Sequence, residues 1–143
     1  MKRPVNDLMK KSFSLLLALA LCLTALTACE RFTDSDYTAE GFVHSRSETA
    51  ASASFLRLTG RYVFRLHAYE ASALRCMARL EEGEMTLWYK INGHSARKIT
   101  AVAAGGPIDE YAGSFKPSDM VYVVIETAGD CRGEVAFRLE ATE

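Results

Sequence analysis

The chain has 143 residues, with 17 Lys and Arg against 18 Asp and Glu, for a formal net charge of −1. Hydrophobic residues make up 49% of it, enough to build a core. No basic block provides the positive footprint that phosphates require, which excludes nucleic acid as a partner.

The first 28 residues read as a leader rather than part of a domain. Lys2, Arg3, Lys10 and Lys11 make a basic start, and "FSLLLALALCLTA" (13–25) is almost wholly apolar. A basic stretch, a short apolar run and small residues before a cut mark a secretory signal. The run is shorter than the roughly 20 apolar residues a spanning helix needs. It is followed by "ERFTDSDYTAE", which lacks the basic cluster of a stop-transfer anchor.

The run ends in Leu26-Thr27-Ala28-Cys29. This resembles the lipobox of bacterial lipoproteins: Leu, two small residues, then Cys. The resemblance implies that Cys29 is alkylated by diacylglycerol and becomes the first residue after cleavage, giving a membrane anchor through its lipid. Glu30 follows where an Asp would resemble an inner-membrane retention signal. The expected localisation is extracytoplasmic and membrane-anchored.

Residues 29–39 are expected to be the lipidated Cys and a short polar tether, and 40–143 one folded domain. "SRSETAASAS" (45–54) reads as a loop or one weak helical turn. From residue 54 onward the period is two. Tyr62, Phe64, Leu66 and Ala68 share one face, with Arg61, Arg65 and His67 on the other. Leu74, Cys76, Ala78 and Leu80 share the next, opposite Arg75 and Arg79. "EEGE" reads as a hairpin turn. Met85, Leu87, Tyr89 and Ile91 then face inward, and Asn92-Gly93 is a strong turn signal before "RKITAVA". "GGPIDEYAGSFKPSD" reads as a long connection. "MVYVVIET" reads as a central strand buried on both faces. "AGDCRG" turns, and Val135, Phe137 and Leu139 point inward in a last hairpin over 121–140. The spacing predicts an all-β fold, a two-sheet antiparallel β-sandwich, jelly-roll-like.

"YVFRL", "ARLEEGEMTLWY" and "SDMVYVVIETAGDCRGEVAFRLE" resemble the small β-sandwich modules of the pre-peptidase C-terminal type. That resemblance implies a secretion-assisting or binding role, not catalysis. The family often carries an acidic "DADLY"-like stretch where this chain has "EGEMTLWY", so a calcium site is not carried over.

Cys22 lies in the leader, which leaves Cys76 and Cys131. In an extracytoplasmic chain a Cys76–Cys131 disulfide is the natural pairing; two separate thiols, with Cys76 in the core, is the alternative. The histidines His44, His67 and His94 stand apart, and no nucleophile, metal or phosphate motif is present. Glu81, Glu82 and Glu84 surround Gly83 as a solvated turn, though they could join Asp109, Asp119 or Asp130 in holding a hard cation. No cofactor and no metal are expected. Trp88, the single Trp, falls on the outward face. It is a candidate stacking platform for a sugar or a protein partner, with Tyr69 and Tyr122 as possible extensions, or else it covers a sheet edge or packs under the "GGPIDEYAGSF" connection. The function expected is that of a non-catalytic envelope module binding a protein or polysaccharide. A structural accessory subunit and, last, a small hydrolase are the rivals.

Overall fold

The structure, a computed structural model, describes residues 10–12, 14–16 and 32–142. Residues 10–12 and 14–16 are helical, and no helix among the described residues is long and apolar enough to cross a membrane. Cys29 and the cleavage site lie outside the described residues. A separate compact unit begins at Phe32 and is all antiparallel β-structure.

Nine strands are described: β1 (Asp36–Glu40), β2 (Val43–Arg46), β3 (Ala50–His67), β4 (Ser72–Glu82), β5 (Glu84–Ile91), β6 (Arg97–Ala103), β7 (Ile108–Phe115), β8 (Met120–Thr127) and β9 (Cys131–Ala141). Their registers show a simpler order. β1 and β2 lie end to end along one edge of β3, with Tyr37 opposite Gly60 and Ser45 opposite Ser52. β8 and β9 lie end to end along its other edge, with Val124 opposite Val63 and Ala136 opposite Ser52. β4 and β5 run end to end along β9 and β8, and β7 and β6 along β4 and β5. Five long passes of chain therefore make one sheet, and every pass bends at the same level.

That common bend folds the sheet over itself. One layer is β2–β3–β9–β4–β7 and the other β1–β3–β8–β5–β6. β3 is the clearest case, since its first half belongs to one layer and its second half to the other. The register shifts between Phe55 and Leu58, where the strand turns the corner. Sandwiches commonly make corners with such bulges. The two layers meet again at the far end, where the His67 N–H donates to the Glu48 carbonyl at 2.7 Å.

The core fills the space between the layers and lies wholly within 51–139. Phe64 of one layer meets Phe137 of the other at 5.7 Å, and Tyr89 meets Phe115 edge-on at 5.5 Å. The period-two reading holds here: Phe64, Leu66, Leu74, Cys76, Ala78, Leu80, Met85 and Leu87 are all buried. β8 is central to its layer. Val121, Val123 and Ile125 face the core, while Val124 is buried on the opposite face.

Several expectations are corrected. "EEGE" is not a hairpin turn but the bend between β4 and β5. Gly83 has φ +88°, and a Cβ there would sit 2.5 Å from the Asp130 carbonyl. The segment 121–140 is not a hairpin, because β8 and β9 do not pair; both follow β3. "IDEYAGSF" forms the edge strand β7 rather than a loop. Within 45–54 only 47–49 is a turn; 45–46 belong to β2 and 50–54 to β3, with Ala51 and Ala53 inward and Ser52 outward, so period two begins earlier in residues too small to display it. The tether is shorter than expected, since Asp36–Glu40 already pair with β3.

The Cys76–Cys131 disulfide is also corrected: both are free thiols. Cys76 stands opposite Phe137, six residues along β9 from Cys131. Strand rise makes that about 20 Å, far beyond disulfide reach. The Cys131 thiol instead donates to the Glu84 carbonyl at 3.0 Å, stitching the bend.

Candidate functional site

The outer face of the β2–β3–β9–β4–β7 layer is hollowed into a trough of about 650 Å³ that crosses the strands. Register builds it row by row. The floor is Ser45, Ser52, Ala136, Met77 and Asp109, one from each strand in turn. One wall is Val43, Ser54, Glu134 and Arg79. Beyond the floor on the other side stand Arg138, Arg75 and Tyr111. The small residues of β2 and β3 make the hollow, and the long side chains of β4, β7 and β9 raise its sides. Five strands at roughly 4.8 Å spacing give it a length of about 19 Å.

One group of polar side chains is locked. The Arg75 guanidinium donates to both Asp109 oxygens, at 2.9 and 2.8 Å, and to Glu140 at 3.4 Å. The Tyr111 hydroxyl donates to Glu140 at 2.7 Å, and the Arg75 guanidinium lies over the Tyr111 ring. The Arg75 hydrogen bonds hold the Asp109 carboxyl below its usual range; the Tyr111 hydroxyl, then Arg75, does the same for Glu140. Such a bidentate pair fixes geometry as well as charge.

A second group is uncommitted. Among the described residues Arg79, Glu134 and Arg138 make no ion pair, and the hydroxyls of Ser45, Ser52 and Ser54 have no hydrogen-bond partner. A concave surface with a rigid border and free donors and acceptors on its floor and wall is equipped to take up a polar ligand. Cys76 lies in the core, outside the trough. The Cys76 thiol is pushed up to about 12, by burial first and then by Glu110. His44 packs on Phe42 and Tyr62, and His67 on Tyr69.

The three aromatic candidates do not form one platform. Trp88 does face outward, on the layer opposite the trough, but it is half-buried. Phe32 covers it with ring centroids 5.3 Å apart, and its buried indole N–H has no acceptor among the described residues. Tyr122 shares that face, across from Lys90 and Arg65, and is also half-buried. Tyr69 is 56% exposed at the far rim, its hydroxyl bound to Glu48. The ring partner of Trp88 is Phe32, from the segment before β1.

The acidic residues do not converge either. Glu81 pairs with Arg132 at 3.0 Å, Asp130 with Arg57 at 3.4 Å, and Asp119 accepts the Lys116 N–H. No group of metal-ligating side chains forms among the described residues. The trough itself was hidden in the sequence, because Ser45, Ser52 and Ser54 read there as loop composition. The one available signal was the alternation of Ser with Ala over 51–54.

No protein-family model and no curated protein matches the chain. Solved structures similar to it include carbohydrate-binding proteins. One is TmCBM61 in complex with β-1,4-galactotriose, at 13% identity and TM-score 0.41, covering 78% of this chain and 91% of that one. Another is the GH26-CBM35 β-(1,4)-mannanase of Podospora anserina, at 10% identity and TM-score 0.41, covering 79% of this chain; the chain spans about a quarter (27%) of that enzyme.

Proposed function

We propose that the chain is a non-catalytic, lipid-anchored envelope module that binds a glycan in the trough on the β2–β3–β9–β4–β7 layer. The observation that carries the reading is the set of free polar groups in a preformed hollow: three serine hydroxyls, Arg79 and Glu134. Neutral sugars offer hydroxyls that both donate and accept, which suits a surface with donors and acceptors side by side. Ala136 and Met77 supply the apolar floor for the C–H face of a ring. The lipobox-like Leu26-Thr27-Ala28-Cys29 supports the anchor.

Two experiments test this. The unit from residue 32 onward contains the entire core and is the species to titrate. Amide resonances of Ser52, Ser54, Met77, Arg79 and Ala136 should shift and saturate with one of peptidoglycan fragments, galactan or mannan oligosaccharides. Arg79→Ala and Glu134→Ala should each weaken binding about tenfold, equivalent to about 1.4 kcal/mol. Absence of saturable shifts there overturns the glycan reading. Separately, Cys29→Ser should move the full chain from the membrane fraction to the soluble fraction, and the unaltered chain should carry the added mass of acyl chains.

A further inference from the structure

The segment before β1 does not hang free of the domain. The Ser35 hydroxyl accepts the Val63 N–H at 3.0 Å, and the Asp34 carbonyl accepts from Arg61 Nε at 2.9 Å, both at the β3 edge. Three residues earlier the Phe32 ring rests on Trp88 of β5. Trp88 pairs with Val124 of β8, which pairs with Val63 of β3. Residues 32–35 therefore lie across three strands of the outer face of the β1–β3–β8–β5–β6 layer. Val124 is fully buried although it faces away from the core, which fits a covered face.

We infer that this face is the one that lies against the bilayer, with lipid headgroups as its partner. The inference rests on the lipid anchor proposed above. Cys29 stands three residues ahead of Phe32 in the sequence, and three residues of backbone span at most about 11 Å, so the proposed anchor joins the domain at the Phe32 end of this segment. Acyl chains seated in the bilayer hold the anchored end of the segment at the headgroups, and residues 32–35 lie along this face. The face carries the half-buried aromatics Trp88, Phe32 and Tyr122 toward its middle, residue types suited to that layer, with Arg65 and Lys98 exposed at its borders and Asp36 and Glu126 flanking Arg61. The two outer faces of a sandwich point in opposite directions. The trough is then presented away from the membrane, toward the envelope.

Trp88 is the sole Trp of the chain, so its fluorescence reports on this face alone. The lipidated full chain is incorporated into phosphatidylcholine–phosphatidylglycerol vesicles whose acyl chains carry bromine near the glycerol end. Trp88 emission should fall in proportion to the brominated fraction. In a Trp88→Phe, Tyr111→Trp chain the reporter moves to the trough layer, and its emission should stay unquenched. A chain that floats with the vesicles with Trp88 unquenched, or with both positions quenched alike, overturns the orientation while leaving the anchor intact. A chain that does not float with the vesicles overturns the anchor and the orientation together.

Discussion

Cys76 illustrates how much a single buried group can report. It has no exposed surface, and burial raises its thiol to about 12. In the unfolded chain the thiol ionises above about pH 8.5. The folded state therefore holds a proton that the unfolded state has lost, and stability should fall as pH climbs from about 8.5 to 12. Denaturant midpoints across that range check it: Cys76→Ala should flatten the slope. Gly83 gives a second prediction. Its positive φ and the 2.5 Å approach to the Asp130 carbonyl make Gly83→Ala costly, by about 2 kcal/mol or more, measured by chemical unfolding. Phe64→Ala should cost about 3–5 kcal/mol because it removes the ring that joins the two layers. At this scale the sequence was partly legible. The outward direction of Trp88 followed from alternation, whereas its burial depends on Phe32, 56 positions away, and no local pattern encodes such a contact.

The strands divide into those with strong alternation and those without. β4 and β5 carry apolar residues at every second place, so their faces could be read directly, and the continuous apolar run of β8 marked it as central. β2 is four residues long (VHSR), the start of β3 is Ala and Ser, and β7 carries Asp, Ala, Gly and Ser, residues that also compose turns. They became strands because their neighbours in register hold them, not because of their own propensity. The same distinction predicts their dynamics. β8 lies between β3 and β5 with both edges bonded, while β6 and β7 have one edge open. Amide exchange should be slowest in Val121–Ile125 and faster by orders of magnitude at the open edge of β7. The pairing of β8 with β9 failed as an expectation for a related reason. "AGDCRG" has the composition of a turn, yet it takes the chain round the bend without reversing its direction.

The whole molecule depends on no covalent crosslink among its described residues. Its melting temperature should therefore be unchanged by reductant, and both thiols should react with a thiol reagent only after unfolding. A drop in melting temperature on reduction would contradict the separation of Cys76 from Cys131. The all-β class and the two layers were legible because burial alternates along most of the chain. The common bend was not, since Gly83 and the register shift in β3 acquire meaning only once five passes of chain are laid side by side.

That bend has a consequence for how the chain comes to fold. β3 cannot complete its layer with neighbours from its own end of the sequence: one of its edges waits for β8 and β9, the last strands described. β1 and β2 find their partner early, in β3, but the other edge of β3 stays open until β8 and β9 are made. Such a topology has few short-range contacts with which to begin, and it should fold in milliseconds to seconds rather than microseconds. The two layers can therefore close on one another only after β8 and β9 are in place.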